Sequence, residues 1–146
     1  DPACPFCHIA WGMLNDLMKT HNFSVHVILS NALPGSEALV NQLFANSDIV
    51  NVWNSGAGSK DGVAIPNVAK VGSQEWNSAD AFRLKNNMFA EKYRSLTTSG
   101  SKNGVPIIMY VGVDGKVRAE QGVYVGKDRL DAMKAFLSGL PGWKAI

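Results

Sequence analysis

Apolar residues fall at Phe6, Ile9, Ala10, Met13, Leu14 and Leu17, the i, i+3, i+4, i+7 spacing of a helix that buries one face. The pattern then changes. Residues 25–30 (VHVILS) form a short β-branched run that reads as a strand, ended by the turn residues of 31–35 (NALPG). Helical spacing returns with Leu39, Val40, Leu43 and Phe44, which Ser36 is placed to cap. Ser47 or Asp48 can cap a shorter helix bearing Ile49, Val52 and Trp53. Residues 56–62 (GAGSKDG) read as a loop, and 64–72 have no clear period. A longer helix is predicted over about 78–96, with Phe82, Phe89 and Tyr93 on its buried side, and 97–104 is polar linker.

Further on, Val105-Pro106 precedes the apolar run 107–111, which meets 116–121 across Asp114-Gly115, a strong signal for an antiparallel hairpin. A last helix over about 127–137 places Leu130, Met133 and Leu137 on one face, and Gly139, Pro141 and Gly142 stop it. No internal repeat or low-complexity segment interrupts this order.

Length and composition set limits. The 146 residues suit one domain, and 46% hydrophobic with 9% aromatic residues is enough for a core. The formal charge is +2 and the Lys and Arg residues are scattered among acids, so nucleic acid is not an expected partner. No apolar stretch approaches bilayer-spanning length, and no signal-peptide pattern is present, although a processed chain would have lost one. The two cysteines both lie in one motif, which leaves no disulfide framework.

That motif, Cys4-Pro5-Phe6-Cys7, opens the first helix. There the backbone N–H groups lack intrahelical partners and the macrodipole is positive, which favours a thiolate at Cys4. Pro5 suits a first helical position because it has no N–H to lose and its φ is already set. Three residues apart on one turn, Cys4 is expected to point outward and Cys7 toward the core. One thiol can attack a foreign disulfide and the other can resolve the mixed disulfide. Pro5 contributes no donor N–H and Phe6 offers only apolar contact near the sulfur, so an intermediate to oxidising poise is expected.

Other readings exist. Cys4, Cys7, His21 and His26 fall close to C₂H₂ zinc-finger spacing, but His26 sits in the β-branched run, and His21 and the cysteines lie at opposite ends of a helix about 20 Å long. Two ordinary buried cysteines are the plain alternative. His8 could reach the site or simply be exposed; Trp11, one turn beyond Cys7, could pack near it or belong to the core. No phosphate loop, Ser-His-Asp arrangement or paired-carboxylate pattern stands out.

Through D-P-x-C-P-F-C-H at the start and G-V-P-I-I-M-Y-V-G-V-D-G-K-V near the end, the chain resembles the bacterial thiol:disulfide interchange proteins of the DsbC and DsbG family, in the thioredoxin-like superfamily. The likeness covers most of the chain. It implies an α/β, thioredoxin-like catalytic domain over 1–146, with a helical insertion (about 36–97) between the strand after the active-site helix and a cis-proline hairpin. It implies a disulfide isomerase or thiol-disulfide oxidoreductase with Cys4 attacking and Cys7 resolving, and with no cofactor and no metal. Val105, Pro106, Phe6 and Pro5 would contact substrate, the main chain of Val105 pairing with an extended substrate strand. His8 and Trp11 would stand behind them.

The resemblance further implies a periplasmic location, unfolded or misoxidised protein substrates, a membrane redox partner that resets the cysteine pair, and a homodimer when full length. Two departures qualify it. In the family a central strand leads directly into the active-site helix, but only Asp1-Pro2-Ala3 precede Cys4, so that strand and any N-terminal dimerisation domain are expected to lie upstream of this sequence. Valine at 105 resembles the oxidase DsbA, where threonine is associated with DsbC and DsbG. A DsbA-like dithiol oxidase is therefore the alternative within the class, and a non-catalytic peptide-binding chaperone module the alternative outside it.

Overall fold

The computed structural model describes residues 1–56, 64–66, 68–94, 96, 105–122 and 127–145. Among them it has five helices and one two-stranded antiparallel sheet, a mixed α/β arrangement. The helices are α1 (Pro5–Met18), α2 (Glu37–Ala45), α3 (Ile49–Asn54), α4 (Gln74–Arg94) and α5 (Arg129–Leu137); the strands are β1 (Ile107–Val111) and β2 (Val117–Gln121).

α1 starts where the motif places it, with Cys4 as the N-cap residue and Pro5 in the first turn. Its buried face is Cys7, Ala10, Met13, Leu14 and Leu17. Phe6 and Ile9, expected on the apolar stripe, are instead 50% and 38% exposed. At 100° per residue they lie to one side of the line through positions 7, 10, 14 and 17.

α2 and α3 form where capping residues precede apolar spacing, but neither cap works through its side chain. The Ser36 hydroxyl donates to the Asp1 carboxylate and the Leu33 carbonyl, both at 2.8 Å, while Asp48 accepts from the Asn51 amide at 3.2 Å. α4 packs on α2 through a face that only partly matches the expected one. Ala79 is its buried residue, Phe82 is 58% exposed, and Phe89 and Tyr93 stack on each other at 4.5 Å. The α2–α4 contact is partly polar: buried Asn41 donates to Asp80 at 3.0 Å and accepts from Arg83 at 3.2 Å, beside a tilted Phe44–Phe82 ring pair at 6.1 Å. A buried polar seam of this kind leaves no hydrophobic period in the sequence.

The hairpin matches its signal. Ile108 faces Glu120 and Tyr110 faces Arg118, and the turn closes with the Gly112 amide donating to the Lys116 carbonyl at 2.8 Å. Gly115, at φ +73°, supplies the left-handed residue that this turn needs. α5 packs beneath β1, where the Tyr110 hydroxyl donates to the Phe136 carbonyl at 2.6 Å; a Cβ on Gly139 would stand 2.7 Å from that hydroxyl.

The expected strand at 25–30 is not a strand here. Among the described residues the segment belongs to no ladder. The loop expected at 56–62 lies outside the described residues beyond Gly56, as does the linker at 97–104. Two apolar clusters make the core. One joins Cys4, Cys7, Leu29, Val40, Leu43 and Trp53; the other joins Met13, Leu14, Leu17, Met133 and Leu137.

Candidate redox site

The motif puts both sulfurs in the first turn of α1, and the Cys7 amide donates to the Cys4 carbonyl at 3.0 Å. The two cysteines approach to 3.6 Å, and both are free thiols. Their separation is short enough that rotation about the side-chain bonds can bring the sulfurs to bonding distance.

Burial departs from expectation at Cys4. It does not point outward: the residue is 4% exposed and Cys7 is 7% exposed. The cover comes from the segment that leads into β1. The Cys4 thiol donates to the Val105 carbonyl at 3.6 Å, and Val105 packs against the cysteine cluster. The Val105–Pro106 bond is cis. Thus Cys4, Cys7, Val105 and Pro106, expected together from distant parts of the chain, converge at the end of α1, while Pro5 and Phe6 lie exposed beside them.

Cys7 sits deeper in its electrostatics. Burial pushes its thiol up to about 11, opposed by the nearby Asp1 nitrogen and reinforced by Cys4. The Asp1 nitrogen donates to Cys7 Sγ at 3.5 Å.

Asp1 is the residue that the sequence reading missed. One carboxylate oxygen accepts from the Ala3 amide at 2.8 Å, and the other accepts from the Leu33 amide at 2.7 Å and the Ser36 hydroxyl at 2.8 Å. Its carbonyl accepts from the Cys4 amide at 3.1 Å. A carboxylate that is 7% exposed, with donors from two segments, ties the cysteine turn to the loop before α2. The available signal was an acid three residues before the first cysteine, a spacing that allows a turn around Cys4.

His8 is half-buried next to the motif. Its Nε2 donates to the Pro2 carbonyl at 2.8 Å and its ring stacks on Trp53 at 4.8 Å. Trp11 packs against the cysteine cluster while its Nε1 donates to Asn54 at 2.9 Å. His21 stacks on Trp143, in the other cluster, so the zinc spacing does not bring His21 to the cysteines. Among the described residues no three His, Cys, Asp or Glu side chains gather as a metal site.

Comparison with known proteins gives no matching family model, no matching curated protein and no matching solved structure.

Proposed function

We propose that the chain is the catalytic part of a thiol-disulfide oxidoreductase of the DsbC and DsbG kind, exchanging or isomerising disulfides in exported bacterial proteins. The observation that carries this reading is the approach of Cys4 and Cys7 to 3.6 Å at a helix N-terminus, beneath Val105 and Pro106. The order of α1, the β1–β2 hairpin and α5 fits a thioredoxin-like domain with helices inserted over 36–97.

In the forward cycle the Cys4 thiolate attacks a substrate disulfide, forming a Cys4–substrate disulfide and releasing one substrate thiolate. Cys7 then loses its proton and attacks Cys4 Sγ, releasing the second substrate thiolate. The cysteine pair is oxidised by two electrons and the substrate disulfide is reduced. A Cys7 thiol pushed up to about 11 slows the second step. The released substrate thiolate then has time to attack another disulfide of its own chain, and the thiolate set free there attacks the substrate sulfur of the Cys4–substrate disulfide, forming a new substrate disulfide and releasing the Cys4 thiolate, which is isomerisation.

An extended substrate reaches Cys4 by pairing with the main chain of Val105 and displacing its carbonyl from the thiol. Half-exposed Phe6 provides an apolar surface beside the sulfurs. Such main-chain recognition accepts many unfolded or misoxidised sequences. The location is periplasmic, a membrane redox partner resets the pair, and the full-length protein is a homodimer.

Replacing Cys4 with serine tests the reading. The Cys4→Ser chain should lose insulin reduction and refolding of a scrambled disulfide substrate. Retention of either activity overturns the reading, and retained anti-aggregation activity alone marks a peptide-binding module.

A further inference from the structure

Trp53 carries an unanswered hydrogen-bond donor. Its indole Nε1–H is buried and, among the described residues, has no partner. A donor shut away from water without an acceptor is uncommon in a folded protein, because the bond it made to water has not been replaced. The cluster around it holds few acceptors. Its side chains are hydrocarbon or aromatic apart from those of Cys4 and Cys7, so within the cluster a sulfur is the one side-chain atom that can accept.

Helix geometry picks out Cys4. Cys4, His8 and Trp11 follow the i, i+4, i+7 spacing and share one face of α1. That face meets α3: the His8 ring stacks on Trp53 at 4.8 Å, and Trp11 Nε1 donates to Asn54 at 2.9 Å. Trp53 therefore stands at the Cys4 end of that face.

The two protonation states of Cys4 need different neighbours. As a thiol it donates to the Val105 carbonyl at 3.6 Å. Once the proton has passed to a base in solution, the sulfur has nothing to donate, and a thiolate held against a carbonyl oxygen sets two negative ends together. It then needs donors. The Cys7 thiol, within 3.6 Å, is one, but the reaction uses it as the second nucleophile. The Trp53 N–H is a second, buried in the same cluster and unused.

We propose that the Cys4 sulfur has two stations: as a thiol it rests on the Val105 carbonyl, and as a thiolate it turns about its Cα–Cβ bond to accept from the Trp53 indole N–H. The turn also leaves the Val105 main chain free for a substrate strand. This inference rests on the redox reading in taking Cys4 as the attacking sulfur. Few groups around Cys4 titrate. α1 brings Cys7 and His8, and Asp1 precedes them, while α2, α3 and the segment entering β1 bring Leu43, Trp53 and Val105 to the cluster. Cys7, pushed up to about 11, keeps its proton while Cys4 loses its own.

The test follows the Trp53 indole N–H resonance of the reduced full chain by NMR from about pH 5 to about pH 9, assigned through its contact with the His8 ring. Ionisation of Cys4 should move it downfield. Cys4→Ser, whose hydroxyl keeps its proton, should lose this movement and retain only that caused by His8, and Cys7→Ala should keep it. In Trp53→Phe, which removes the N–H, the ultraviolet absorbance of the Cys4 thiolate should develop about one pH unit higher, a tenfold change in the thiol–thiolate balance. Identical movement in the wild type and Cys4→Ser overturns the proposal, as does an unchanged absorbance curve in Trp53→Phe. The glutathione equilibrium is measured on the same samples. A cysteine pair that oxidises normally without these signals sinks the proposal alone; the signals in a pair that never oxidises leave it standing without the redox reading.

Discussion

The Cys4 thiol donates to the Val105 carbonyl at 3.6 Å, joining two residues 101 positions apart in the chain. Through this contact the segment entering β1 lies directly over the N-terminus of α1. It also hides Cys4, which the helix position alone would leave open.

The cysteines should differ in reactivity. A thiol at about 11 is roughly one part in a thousand thiolate at pH 8, and the thiolate is the reacting form. Brief iodoacetamide treatment of the reduced native protein at pH 8, read by peptide mass, should label Cys4 first and leave Cys7 unlabelled. Labelling of Cys7 before Cys4 contradicts the assignment of roles.

The same shift makes the reduced protein sensitive to alkali. The folded Cys7 thiol holds its proton more tightly than the unfolded one, so its contribution is complete below the ordinary value of 9.0 and is lost as pH rises through about 11. Two units of difference set an upper bound of about 2 to 3 kcal/mol. Urea unfolding at pH 8 and pH 11 should show a larger loss for the wild type than for Cys7→Ala. Equal losses count against the shift.

Asp1 and Ser36 should act as a unit. Ser36→Ala removes one of the donors to a buried carboxylate and should cost about 1 to 3 kcal/mol in urea unfolding. Asp1→Ala should cost a similar amount, and the double variant should cost less than the sum of the two. Full additivity would show that the hydrogen bond carries no stability.

Both apolar clusters should be needed for stability. Leu43, fully buried with the cysteines, and Leu17, 1% exposed in the other cluster, should each cost about 2 to 5 kcal/mol when changed to Ala. Losses below about 1 kcal/mol in urea unfolding would place either residue outside a packed core.

Much of this arrangement was legible in local pattern. The 3.6-residue spacing marked α1 and α5, and Asp114-Gly115 marked the hairpin, because these signals lie within a few residues of the structure they specify. The cysteine pair was legible for the same reason. The cover over Cys4 was not, since it comes from Val105, far along the chain. The buried face of α4 was legible only in part because its contact with α2 runs through Asn41, Asp80 and Arg83 as well as the Phe44–Phe82 pair, and hydrophobic periodicity does not register a polar seam. The strand read at 25–30 has the right residues for one, yet a strand is defined by its neighbours, and the described residues offer none to its backbone.

The most direct measurement is the equilibrium of the Cys4–Cys7 pair with glutathione, read by mass after acid quenching. The account predicts a reversible loss of two hydrogens per chain, with the disulfide confined to a peptide containing both cysteines and no covalent dimer. Cysteines that stay as two thiols through oxidising conditions, or that pair only between chains, would contradict it.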